Sequence, residues 1–270
     1  MTKIHWHYPN SLDEAVLLLR DPRIRAVGGG TDLIKRPLST VGAFLSLWGL
    51  NLNAIDLRGD TWSFGSMCTY ADVLKVLEPE HSGHVLYRSL LHAANTPCRN
   101  RITLGGSAAF APRWSDLAGP LLALEADVHL GGDKEETVPY ARYLQHSELR
   151  KKALITGISF LNFAHRAAHY REVRTHNDMP QFTITVLLKM QNSDIREARI
   201  ILVGSEARFL RLEKLESHLR GKRRAQLDAD ALAALVEVTF KSRPGFDPDY
   251  LAHKAKTESA RCVISALESR

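Results

Sequence analysis

The sequence predicts an α+β protein, and three observations carry that expectation. A capped helix, a short strand and a run of three glycines follow one another within the first 32 residues. Short extended and helical stretches then alternate to about residue 150. Beyond that point two longer extended runs precede a group of helices, an order that signals helices segregated from an antiparallel sheet.

In chain order, Ser11-Leu12-Asp13-Glu14 has the form of a capping box, in which the serine oxygen accepts from the third helical N–H and the glutamate reaches back. Leu12, Ala15, Val16 and Leu19 repeat at helical spacing, and Pro22 marks the end of that helix. Arg25 to Val27 follows as a short strand that runs into Gly28. Phe44 to Leu47 and, after the Gly59-Asp60 turn, Thr61 to Phe64 read as strands. Helices are expected over Tyr70–Leu77, Val85–Asn95 and Leu117–Leu124, the last with Pro120 in its first turn. Val128 to Leu130 and Thr137-Val138 flank Gly131-Gly132-Asp133 as a hairpin. The strand-like Leu154 to Phe160 gives way to His165-Arg166, which puts a boundary near residues 150–168. Gln181 to Met190 and Ala198 to Val203 are extended around a turn at Asn192-Ser193-Asp194. Two helices follow; the last, roughly Pro248 to Glu268, sets Leu251, Ala255, Cys262, Val263, Ala266 and Leu267 on one face.

Composition sets outer bounds. At 270 residues, 44% hydrophobic and 24% charged, the chain has the make-up of a globular protein. No stretch reaches the ~18–20 apolar residues of a membrane helix, and Met1 to Trp6 has no apolar run resembling a secretory signal, so a cytoplasmic protein without a membrane partner is expected. Cys68, Cys98 and Cys262 are far apart, which excludes a local metal clip and a four-cysteine iron–sulfur ligand set. The +6 net charge raises nucleic acid as a partner, but the one dense run, Arg220-Gly221-Lys222-Arg223-Arg224, has no interleaved aromatics and reads as a solvated turn. The twelve histidines are scattered without ligand or acid–base spacing, so no catalytic and no metal-binding side chain is assigned.

The chemistry is carried by two glycine runs. In Gly28-Gly29-Gly30-Thr31-Asp32 the missing Cβ atoms let backbone N–H groups approach an anion, and positive φ is permitted; a tight strand-to-helix turn would use the same residues. The run is neither GxGxxG nor GxxxxGK[ST]. Thr103-Leu104-Gly105-Gly106-Ser107 supplies a second hydroxyl-flanked glycine pair, and Asp116 follows. Two donor-rich loops suit the two phosphates of a dinucleotide. The carboxylate can accept from ribose hydroxyls or simply favour a helix N-terminus.

With those residues in view, the sequence resembles the FAD-binding medium subunit of molybdenum hydroxylases, the carbon monoxide dehydrogenase medium-chain and xanthine dehydrogenase FAD-domain family. Four stretches carry the resemblance in order: Ala26-Val27-Gly28-Gly29-Gly30-Thr31-Asp32-Leu33; Gly59-Asp60 through Phe64-Gly65-Ser66 to Asp72-Val73-Leu74; Cys98-Arg99-Asn100-Arg101-Ile102-Thr103-Leu104-Gly105-Gly106; and Ser115-Asp116-Leu117 with Leu121 to Ala126. The resemblance implies a two-subdomain FAD-binding fold of the PCMH (vanillyl-alcohol-oxidase-like) type, residues 1–55 and 56–165, plus a small C-terminal α+β domain with an antiparallel sheet, residues 166–270. It implies that FAD lies between the first two subdomains, with the third closing over the flavin. Ala26, Val27, Gly28, Gly29, Gly30, Thr31, Asp32 and Leu33 would hold the diphosphate and ribityl region. Thr103, Leu104, Gly105, Gly106 and Ser107 would form the second phosphate loop, Asp116 the adenosine-side carboxylate, and Arg171 a basic residue near the flavin ring. An iron–sulfur small subunit and a molybdenum-cofactor large subunit are the implied partners, with NAD as a candidate acceptor.

Two departures stand out. Ser107 replaces the family's usual asparagine, and Pro112-Arg113-Trp114 puts bulk where small residues are common; Trp114 either stacks on a cofactor ring or packs in the core. Two other readings follow the same residues: a flavin-free scaffold subunit, and a stand-alone flavin reductase resembling the cell-wall UDP-sugar reductases.

Overall fold

A computed structural model of the chain describes residues 4–33, 37–132, 134–175, 178–243 and 245–269. It divides into two compact units, one made of residues 1–73, 95–110 and 125–162, the other of residues 74–94, 111–124 and 163–270.

The first unit holds two sheets. Strands β1 (His5–His7), β2 (Ile24–Val27) and β3 (Ala43–Ser46) form a parallel sheet in the order β1-β3-β2. The helix Leu12–Leu18 buries Ala15 against Leu45, Leu47 and Met67, the small core under this sheet. Its cap differs from the expected box in one partner: Ser11 Oγ accepts from Glu14 N at 3.2 Å, while the Glu14 carboxylate accepts from Asn10 N at 2.8 Å.

The second sheet is antiparallel, with β4 (Ile55–Asp56), β5 (Thr61–Gly65), β6 (Asp127–Gly131), β7 (Glu136–Pro139) and β8 (Leu154–Leu161) in the order β4-β5-β8-β6-β7. Period-2 alternation turns Trp62 and Phe64 of β5 inward, and the Phe64 ring stacks on Phe160 of β8 at 5.9 Å. The helix Leu104–Phe110 packs on β5 and β8, and the Tyr140 hydroxyl donates to the Ala108 carbonyl at 3.1 Å. The β6–β7 hairpin forms, with Leu130 opposite Glu136; Asp133 of its turn lies outside the described residues.

The second unit is built on one antiparallel sheet, β9 (Arg166–Glu172), β10 (Phe182–Gln191), β11 (Asp194–Val203) and β12 (Phe209–Arg211), in the order β12-β11-β10-β9. Strand β10 is central and buried on both faces. Phe182, Ile184, Val186 and Leu188 meet Leu251, Ala255, Val263 and Leu267 of the helix Pro248–Glu268. The opposite face carries the helices Val85–Leu90 and Ala118–Ala123. Gly119 permits that approach, because a Cβ there would lie 2.5 Å from Thr185 Oγ1. The β10–β11 hairpin turns at Asn192-Ser193, with Gln191 opposite Asp194 and Asn192 left-handed at φ 56°.

Several boundaries differ from the sequence expectation. The helix expected over Val85–Asn95 stops at Leu90; Asn95 instead caps a separate turn of helix, Thr96–Arg99, by accepting from Cys98 N at 3.0 Å. The helix at Tyr70 runs on to His81 with Pro79 inside it. Among the described residues, three α-helices rather than two follow β12: Glu213–Leu219, Ala229–Ala234 and Pro248–Glu268. Among the described residues, no helix is long and apolar enough to cross a membrane.

Candidate functional site

The first glycine run begins where β2 leaves the parallel sheet. Ala26 packs against the core under the sheet, and the Val27 carbonyl accepts from Leu47 N at 3.1 Å, the last ladder bond on that side. The chain then turns through Gly28, Gly29 and Gly30, with Gly30 at φ 72°, into the turn at Thr31-Asp32 and on to Leu33. This is the carboxyl end of a parallel strand, the place where α/β sheets receive ligands.

What the run does with its hydrogen-bonding groups is specific. The Gly28 carbonyl accepts from the Trp48 indole Nε1 at 3.0 Å, and the Gly29 carbonyl accepts from Arg101 Nε and Nη2 at 3.3 and 3.1 Å. The N–H groups of Gly28, Gly29, Gly30 and Thr31 donate to no acceptor among the described residues. Four successive backbone donors without an acceptor among the described residues, on half-buried to buried residues, form a cradle for an anion. Such a cradle has the hydrogen-bonding chemistry that a diphosphate requires.

The second run lies beside the first but behaves differently. A Cβ on Gly29 would stand 1.6 Å from the Arg101 carbonyl oxygen, and one on Gly28 would stand 2.7 Å from Thr103 Oγ1, so the two segments meet through glycine. Thr103 to Ser107, expected as a loop, is the start of the helix Leu104–Phe110. The backbone donors of Leu104 to Ser107 are engaged: Leu104 N to Cys68 O at 2.8 Å, Gly105 N to Ser66 O at 2.8 Å, Gly106 N to Thr103 Oγ1 at 3.3 Å and Ser107 N to Thr103 O at 2.9 Å. Gly105 is a packing glycine, because a Cβ would meet that of Ser66 at 2.5 Å. The Ser107 hydroxyl is paired with the Tyr70 hydroxyl at 2.5 Å. The second segment therefore offers a bare, exposed Gly106 and a hydroxyl rather than a set of free N–H groups.

Asp116 and Arg171 fall in the second unit and are joined to each other. Arg171 Nε donates to Asp116 Oδ1 at 2.6 Å and its Nη2 donates to Oδ2 at 3.3 Å and to the Asp178 carbonyl at 3.3 Å. The two side chains are 7% and 9% exposed. His169, two residues before Arg171 on β9 and so on the same face, places its Nε2 3.8 Å from Asp116 Oδ1, and its Nδ1 is hydrogen-bonded to Thr185 Oγ1 at 3.0 Å. The arginine foreseen as a separate basic group is thus the partner of the foreseen carboxylate. Ser115 caps the neighbouring helix by accepting from Ala118 N at 3.0 Å. Trp114 is 38% exposed, not core, and Arg113 donates to the Ser205 carbonyl at 3.2 Å.

Sequence reasoning missed three residues of these clusters. Trp48 lies just past the end of a strand, Arg101 lies inside a longer motif, and His169 lies in a strand that the apolar pattern does not reveal. The only signal for His169 is its i, i+2 spacing from Arg171. Among the described residues, no group of three or more His, Cys, Asp or Glu side chains could hold a metal ion.

Free N–H groups in a glycine turn at the end of a parallel strand are what a dinucleotide-binding protein presents to a diphosphate, and the first unit is of that class. More narrowly, residues 2–160 match the family described as the FAD binding domain in molybdopterin dehydrogenase, and the chain belongs to that family. It is an FAD-binding member of an oxidoreductase family. The chain is 25% identical over 259 residues to the nicotine 6-hydroxylase medium subunit of Paenarthrobacter nicotinovorans, covering 88% of this chain and 87% of that one. Its fold matches quinoline 2-oxidoreductase from Pseudomonas putida 86 with a TM-score of 0.89 at 22% identity, covering 98% of this chain and 97% of that one. It also matches a carbon monoxide dehydrogenase from Hydrogenophaga pseudoflava with a TM-score of 0.88 at 22% identity, covering 98% of each chain. The α+β fold is that of these chains.

Proposed function

We propose that this chain is the FAD-carrying medium subunit of a molybdenum-containing hydroxylase or dehydrogenase, working with an iron–sulfur small subunit and a molybdenum-cofactor large subunit. The observation that carries the reading is the row of N–H groups at Gly28, Gly29, Gly30 and Thr31 that are unengaged among the described residues, in a chain of this family. The relative from Paenarthrobacter nicotinovorans is itself a medium subunit, which supports the same partner set here. Bound FAD would supply the redox chemistry, accepting electrons from the partner clusters and passing them to an acceptor such as NAD.

The chain's own residues bind and orient. Ala26 to Leu33 hold the diphosphate and ribityl region, chiefly through backbone donors. Thr103 to Ser107 complete the site with the bare Gly106 and the Ser107 hydroxyl. Asp116 accepts from the adenosine ribose, and Arg171 acts by holding that carboxylate. No side chain is assigned acid–base work. In this reading residues 1–55 and 56–165 are the two FAD-binding subdomains, residues 166–270 form the C-terminal domain, and the complex works in the cytoplasm.

Co-expression with an iron–sulfur and a molybdenum subunit, and purification through a tag on this chain, tests the assignment. The expected product is a three-subunit complex with about one FAD per copy of this chain. The engaged donors of Leu104 to Ser107 favour one rival, a flavin-free scaffold subunit. Co-purification of both partners without flavin would establish that rival, and a chain that recruits neither partner would refute both.

A further inference from the structure

Trp48 and Arg101 stand out because neither packs as its residue type usually does. Trp48 is 55% exposed, yet its one polar atom is spent on the Gly28 carbonyl at 3.0 Å. Arg101 directs two guanidinium N–H groups to a single backbone oxygen, that of Gly29, at 3.3 and 3.1 Å, rather than to a carboxylate. Adjacent carbonyls in a glycine turn are the groups that would repel an incoming anion, and glycine peptides flip readily because φ is unrestricted. Two side chains from different parts of the sequence each hold one of these carbonyls, and the N–H groups of Gly28 to Thr31 remain unengaged among the described residues. Arg101 also leaves its charge beside the segment.

We propose that Trp48 and Arg101 are positioning residues that form a carbonyl clamp, fixing the Gly28 and Gly29 peptides in the orientation that accepts a diphosphate. The clamp selects ligands by their diphosphate: it strengthens FAD and ADP and leaves riboflavin untouched. This inference rests on the FAD-binding reading, so wild-type binding is measured first.

Full-length chain stripped of flavin is titrated with FAD, ADP and riboflavin, followed by tryptophan fluorescence or calorimetry. Trp48→Phe keeps the ring and removes the donor; Arg101→Met keeps much of the stem and removes the fork. Each variant is expected to weaken FAD and ADP about tenfold, the scale of one lost hydrogen bond to an ordered group. Riboflavin affinity and the melting temperature should stay at wild-type values. Arg101→Lys, which restores one donor and the charge, should recover part of the loss. Unchanged FAD and ADP affinity in both variants would overturn the clamp while leaving the diphosphate site standing. Equal weakening of FAD and riboflavin would also overturn it, because that is the mark of general loosening. A folded wild-type chain that binds neither FAD nor ADP would overturn the site and the clamp together.

Discussion

Gly29 shows how much a single residue decides. Its α-carbon sits so close to the Arg101 carbonyl that any Cβ would fall at 1.6 Å, and both atoms belong to backbone that cannot rotate aside. Gly29→Ala is therefore expected to cost more than 3 kcal/mol, roughly the upper end of overpacking penalties, and to appear as loss of soluble protein or a sharply lower melting temperature. Asp116 makes a second case. Removing a carboxylate that is 7% exposed strands the Arg171 guanidinium, and a broken buried pair costs about 3–5 kcal/mol. Urea unfolding of Asp116→Ala should show that loss, and the double variant Asp116→Ala/Arg171→Met should recover much of it, since the stranded charge is gone. No recovery would mean that the pair is not what holds this segment.

Among the elements, the short helix Val85–Leu90 depends on a histidine. His84 Nδ1 accepts from Leu86 N at 3.2 Å, so the cap works only with a neutral ring. Burial, then the neighbouring His165 and His81, push its pKa down from 6.5 to about 3. A depressed pKa means that the unfolded chain takes up the proton first. The stabilisation is fully present above pH 6.5 and is lost progressively as pH falls toward 3. Urea midpoints measured between pH 7 and pH 4 should fall less steeply for His84→Asn, whose amide oxygen can keep the cap without titrating. An unaltered slope would place the acid sensitivity elsewhere.

The same scale shows what was legible in the sequence. The first glycine turn could be read because strand, glycines and the need for absent Cβ atoms are all local. The helix Pro248–Glu268 could be read from its apolar face. Strand β9 could not, because its buried positions, Ala167 and Ala168, are small and its ends are charged. The helical start at Leu104 was hidden for another reason. What engages Leu104 and Gly105 is the Cys68 and Ser66 carbonyls, a pairing made only on folding, so a hydroxyl–Gly–Gly–hydroxyl string looked like a second donor loop. Asp116 and Arg171 were both singled out, but their mutual pairing depends on the register of β9.

For the molecule as a whole, a fold shared along nearly the full chain goes with a donor-lined glycine turn on one segment. The sequence suggests two donor-rich loops, the second departing from the family at Ser107. The structure gives one segment whose donors are unengaged among the described residues and one whose donors at Leu104 to Ser107 are engaged, while family membership supplies the cofactor. It follows that changes in the first segment should strip FAD more readily than changes at Ser107. Ser107→Ala, which removes only the hydroxyl paired with Tyr70, is expected to retain FAD, with an affinity loss of about tenfold or less. Complete loss of FAD in this variant would make the second segment the principal site.

The most direct measurement is an absorbance spectrum, with mass spectrometry of the released small molecules, on the tagged and folded chain after incubation with FAD. Flavin bands and released FAD at about one per chain are expected. A folded chain that remains colourless at saturating FAD would contradict the assignment.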